Sequence, residues 1–121
     1  MNQIAQPNKE LVLKVLGQVG FEDRLVGYRV GERSGTVRIS LYSFQEIVDF
    51  LRNSLPQLDF KNLERWIRIV VGDEELGDRI SSVVEAEENN NDRTQRIRTL
   101  MEERLAQCKN AAWMSNLKQR G

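Results

Sequence analysis

Histidine is absent from this 121-residue chain, and cysteine occurs once, at Cys108. Without an imidazole, the chain lacks the one side chain whose ordinary pKa places its proton exchange near neutrality. Ser-His-Asp and Cys-His catalytic arrangements are excluded, and the commonest ligand of zinc, copper and non-haem iron is missing. A lone cysteine rules out an intrachain disulfide and a cysteine-held structural zinc. An enzyme made from this sequence would have to work with carboxylates, lysine or arginine, and no spacing of these marks a catalytic pair or an ordered series of metal ligands. The expectation is no catalytic residue, no cofactor and no metal.

Net charge is also lacking. Eighteen Lys and Arg balance eighteen Asp and Glu, so no overall field draws the chain to nucleic acid or to an anionic membrane. No apolar run approaches the roughly 18 residues needed to span a bilayer, and the opening residues MNQIAQPNKE do not form a signal peptide. With a single cysteine besides, the expectation is a soluble, cytoplasmic protein.

What is present is apolar periodicity. Asn8 precedes a segment in which Leu11, Val12, Val15, Leu16 and Val19 share a helical face, with Gly17 and Gly20 marking its end. Val26, Tyr28 and Val30, then Val37, Ile39 and Leu41, alternate on either side of Gly31 to Gly35, as in a β-hairpin. Ser43 and Glu46 form a capping box ahead of Phe44, Ile47, Val48, Leu51 and Leu55, and Pro56 is placed at the end of that helix. Asp59 caps Phe60, Leu63, Trp66, Ile67, Val70 and Val71. Gly72 suits the position just past that helix, and Asp73 caps Leu76, Ile80, Val83 and Val84. Asp92 is read as the cap of a long last helix with Ile97, Leu100, Met101, Leu105, Cys108, Ala111 and Ala112 inward. The expected fold is mainly α (α+β), about four helices plus one β-hairpin near residues 25–42, in a single domain over 1–121 with frayed ends at about 1–6 and 118–121. Leu16, Leu41, Ile47, Leu51, Leu63, Trp66, Ile67, Val70, Leu76, Ile80, Val83, Ile97, Leu100, Met101 and Leu105 form the expected core.

The order Phe60 or Leu63, Trp66, Gly72-Asp73-Glu74-Glu75-Leu76, Ile80 resembles the helical pattern of certain small prokaryotic domains with no established activity. In these a leucine-rich helix precedes a tryptophan-bearing helix and a GDEELA-type turn. Gly77 stands where that pattern has alanine, and the histidines common in such domains are missing. The resemblance covers the central third of the chain and implies a helical module.

Local charge is uneven. Between Gly72 and Asp92 eight acids face one base, Arg79, whereas from Arg93 to Gly121 seven bases face two acids, Glu102 and Glu103. If the two helices fold back on each other, the charges compensate. Four constellations follow. Arg93, Thr94, Gln95, Arg96 and Arg98 open the last helix and are types that contact bases or phosphates, although the acidic helix before them would repel DNA. Arg24, Arg29, Arg33 and Arg38 on the hairpin are expected to face water. Asp73, Glu74, Glu75 and Asp78 complement a helix dipole. Trp113, Met114 and Leu117, near a less regular end, suit a partner-binding surface. The preferred function is a non-enzymatic protein–protein interaction or regulatory module, self-associating as a dimer through the hairpin edge or the last helix. The alternative is a DNA-binding regulator using the basic start of that helix.

Overall fold

The computed structural model describes residues 4–30, 35–52 and 56–120, with side chains not described for Val30 and 116–120. The described residues form five α-helices and a small antiparallel sheet, a mainly α, α+β fold. In chain order these are α1 (Lys9–Leu16), β1 (Leu25–Val30), β2 (Thr36–Leu41), α2 (Phe44–Leu51), β3 (Pro56–Gln57), α3 (Phe60–Trp66), α4 (Glu74–Ala86) and α5 (Asn90–Arg120). A 3₁₀ turn, Phe21–Asp23, precedes β1, and a π turn, Ile67–Val71, extends α3.

Local capping chemistry sets most helix starts. Asn8 accepts from the Leu11 amide at 2.8 Å, and Asp59 accepts from Lys61 at 2.9 Å. Ser43 Oγ accepts from the Glu46 amide at 3.1 Å. The Glu46 carboxylate does not return to the cap amide but accepts from the Ser43 hydroxyl at 3.2 Å. The last helix corrects the expectation. Asn89, not Asp92, is its cap, because Asn89 Oδ1 takes the Asn91 amide at 2.7 Å and the helix is under way two residues before Asp92. Asp92 instead lies in the first turn, where its charge meets the positive end of the dipole.

The sheet order is β2-β1-β3. The hairpin register pairs Leu25 with Leu41 and Val30 with Thr36. Pro56 was expected to end a helix, but α2 stops at Leu51 and Pro56 begins β3, where it faces Arg29. Proline is tolerated there because it is the first residue of an edge strand. Gly27 interrupts the apolar alternation of β1 for a packing reason: a Cβ at that position would fall 2.8 Å from Cζ of Phe50. The loop at Gly31–Ser34, Arg33 within it, and Leu55 lie outside the described residues.

The core lies where α5 packs against α1, α2 and α4. Ile97, Met101, Leu105 and Cys108 of α5 are buried with Val12, Val15, Phe44, Ile47, Val48, Leu51, Leu63, Trp66, Ile67, Leu76, Ile80 and Val83. Each such side chain stabilises the fold by roughly 1.5–3 kcal/mol relative to exposure. Three expected core residues sit further out: Leu16 is exposed, and Val70 and Leu100 are only partly buried. The short α1 turns Val12 and Val15 inward, which leaves Leu16 on its flank. The N-terminal segment is a further correction, since Ile4, expected to fray, is only 4% exposed. Residues 1–3 and Gly121 lie outside the described residues, and the backbone of 118–120 continues α5.

Candidate functional site

The four acids around the start of α4 are distributed between two arginines. Asp73 and Glu75 meet Arg104 of α5, whose Nε donates to Asp73 Oδ2 at 2.8 Å and whose Nη2 donates to Glu75 Oε1 at 3.1 Å. Glu74 and Asp78 meet Arg68 of the π turn at 2.7 and 2.8 Å, and Glu64 adds a third carboxylate at 3.0 Å. The hydrogen bond that Arg68 donates to Asp78, then that to Glu74, raises the Arg68 pKa further above its ordinary value. The helix dipole alone, as expected from sequence, therefore does not account for this group. Gly77 makes room for the second cluster, because a Cβ there would lie 2.6 Å from Cγ of Arg68.

Arg104 is the functional-looking residue that sequence reasoning missed. Its side chain is 2% exposed and its partner Asp73 3%. Besides the two carboxylates, its Nη1 donates to the Ala5 carbonyl at 2.5 Å and to Gln107 Oε1 at 2.8 Å. Gln107 Nε2 donates to the Ile4 carbonyl at 2.9 Å, and the Ala5 amide donates to Glu75 Oε1 at 2.9 Å. The segment around Ile4 is thus held by its main chain in a cradle made from α4 and α5. A signal was there to read. Arg104 falls three residues after Met101 and four before Cys108, on the stripe that is otherwise apolar.

Cys108, next along that stripe, is fully buried, and burial pushes its thiol up to about 11. It is a packed hydrophobe rather than a nucleophile.

The basic start of α5 is largely compensated. Arg96 pairs with Glu87 at 2.6 Å, Arg93 donates to Asn90 Oδ1 at 3.1 Å, and Arg98 lies 3.6 Å from Glu102. Thr94 is partly buried and Gln95 exposed. Folding α4 back on α5 has brought the two charge blocks together, as their signs suggested. The hairpin arginines do not converge. Arg38 lies opposite Tyr28 and Arg29 opposite Val37, which puts the two on opposite faces of the sheet. Arg24 stacks on the Phe21 ring, 3.7 Å from its centroid.

Trp113 and Met114 stand apart from all this. Ala111 and Ala112 still pack on the core, but Trp113 is 59% and Met114 51% exposed while α5 runs on to Arg120. The Leu117 side chain lies outside the described residues. A second apolar surface was not anticipated: Leu13 and Ile69, both largely exposed, line a groove of about 580 Å³ between α1 and the π turn. Ile69 faces outward in the π turn, whose wider spacing departs from the 3.6-residue period of an α-helix.

Among the described residues, no group of three or more Cys, Asp or Glu could hold a metal ion, and no helix is long and apolar enough to cross a membrane. No family model, curated protein or solved structure matches the chain.

Proposed function

We propose that the protein is a non-enzymatic interaction or regulatory module that associates with a second copy of itself through the C-terminal part of α5. The observation that carries this reading is the exposure of Trp113 and Met114 on a helix that runs on to Arg120. A helix 31 residues long spans about 46 Å. Large side chains left in water at its end, one aromatic and one thioether, are types enriched at the centres of interfaces. The non-enzymatic part rests on the acids at the start of α4, which are engaged by Arg68 and Arg104 and so offer no free carboxylate pair. The DNA-reading alternative has less in its favour, because Arg96 spends its charge on Glu87.

Light scattering over a protein concentration series tests the reading. The wild-type mass should rise to that of a dimer, and Trp113→Ala should shift the midpoint to at least ten-fold higher concentration, as loss of a hot-spot residue worth about 1.4 kcal/mol or more would. An unchanged midpoint in Trp113→Ala would remove this surface from the interface.

A further inference from the structure

The groove between α1 and the π turn is walled by two side chains that the fold leaves in water, Leu13 at 67% and Ile69 at 68% exposed. Its volume of about 580 Å³ falls within the roughly 300–1,000 Å³ of pockets that take a small molecule. Such pockets enclose about 70–90% of the ligand's surface, and walls two-thirds open to water do not enclose. They suit a large side chain inserted from a second protein surface.

We propose that this groove receives Trp113 of a second copy of the chain, the end of α5 in each copy seating in the groove of the other. The proposal rests on self-association through α5 and names the surface that α5 meets. Three observations select a second copy as the occupant. The chain's own tryptophan does not fill the groove: Trp113 is not among the residues that line it, and it stands 59% exposed directly after Ala111 and Ala112, which pack on the core of its own body. The charges match in sign. Glu10 and Asp23 line the groove against Lys14, an excess of one acid, whereas no acid follows Glu103 in the sequence and Lys109, Lys118 and Arg120 do. Finally, each copy carries one insert and one groove, so a two-fold axis makes the contact twice and leaves neither surface uncovered. Doubling matters because a single tryptophan buries only about 150–250 Å², against the roughly 1,200–2,000 Å² of a specific interface.

Two experiments on the full chain test this. Leu13→Ala plus Ile69→Ala trims both walls at side chains that are already exposed, so the fold does not depend on them. In light scattering, the pair should move the dimer midpoint to at least ten-fold higher concentration, and should add little to the shift of Trp113→Ala, because the groove and the tryptophan meet. A midpoint that moves with Trp113→Ala but not with the wall variant overturns the groove and leaves self-association through α5 standing; shifts that multiply do the same. In the second experiment, unlabelled protein with the photo-cross-linker p-benzoylphenylalanine in place of Trp113 is mixed in equal amount with ¹⁵N-labelled wild-type protein, equilibrated and irradiated. About half of the links from residue 113 should reach heavy peptides that contain Leu13 or Ile69, since either kind of chain can supply the groove. Links to heavy α5 instead would set α5 against α5, and they overturn the groove alone, as does a sample of dimer mass with no link to a heavy chain. A wild-type protein that is a monomer at every concentration overturns both readings.

Discussion

Asp73 grips Arg104 with both carboxylate oxygens, at 2.8 Å to Nε and 3.3 Å to Nη2, across 31 residues of sequence. The same carboxylate also caps α4, accepting from the Leu76 amide at 3.1 Å. One side chain therefore starts a helix and anchors the helix that packs on it. Removing one member of a buried ion pair strands the other, at a cost of about 3–5 kcal/mol. Arg104→Met should be destabilised by that amount in urea unfolding at neutral pH. Asp73→Asn should cost less, because asparagine retains the cap and Glu75 still faces Arg104. The reverse order would mean that leaving Arg104 beside a neutral side chain costs more than leaving Asp73 without its arginine.

Gly77 sits inside α4, where alanine would ordinarily gain about 1 kcal/mol of helix propensity. Here the added methyl would push on Arg68 and loosen its contacts with Glu64, Glu74 and Asp78. Gly77→Ala should thus yield the full propensity gain only in an Arg68→Ala background. A double-mutant cycle followed by thermal unfolding reads this coupling; additive effects would mean that the arginine moves aside without loss.

The thiol of Cys108 makes stability depend on alkaline pH. Desolvation by burial raises its pKa from an ordinary 9.0 to about 11. Below pH 9 the group is protonated folded or unfolded and has no effect on the balance. Between about 9 and about 11 the unfolded chain gives up the proton and the folded chain keeps it, so stability falls as pH rises. Urea midpoints of wild type should drop more steeply over this window than those of Cys108→Ala, which removes the titrating group and subtracts the background from lysine and tyrosine. Parallel pH profiles would show that the thiol ionises freely in place.

Legibility in the sequence follows the range of the interaction. Asn8, Ser43, Asp59 and Asp73 could be assigned as caps because each meets an amide two or three residues away. The apolar faces of α2, α4 and α5 could be assigned because burial repeats with the helical period. Pairing of β3 with β1 could not, since two residues, Pro56 and Gln57, carry it and their partners lie 27 or more positions back. The cap of α5 was misplaced because Asn89 and Asp92 are both good cap residues and nothing local chooses between them. The cradle around the Ile4 segment was hidden because Arg104 entered the reading only as one of the seven bases from Arg93 to Gly121, although charged residues are rarely buried unless paired and its position on the apolar stripe marked it as buried.

The opposite fate of Arg96 yields a prediction about nucleic acid. Its guanidinium reaches back to Glu87 at 2.6 Å and so ties the end of α4 to the start of α5. A phosphate would have to displace that carboxylate and approach Glu85, Glu88 and Asp92 as well. Fluorescence anisotropy with a mixed DNA pool should therefore give the same result for wild type and for Arg93→Glu plus Arg96→Glu at low salt. The double reversal should lower stability only slightly, since an exposed pair contributes about 0.2–1 kcal/mol. Were these arginines a DNA-reading edge, each lost phosphate contact would reduce the slope of log affinity against log salt by about 0.9. A wild-type protein that binds with such a slope, and a double variant that does not, would replace the self-association reading with a DNA-binding one.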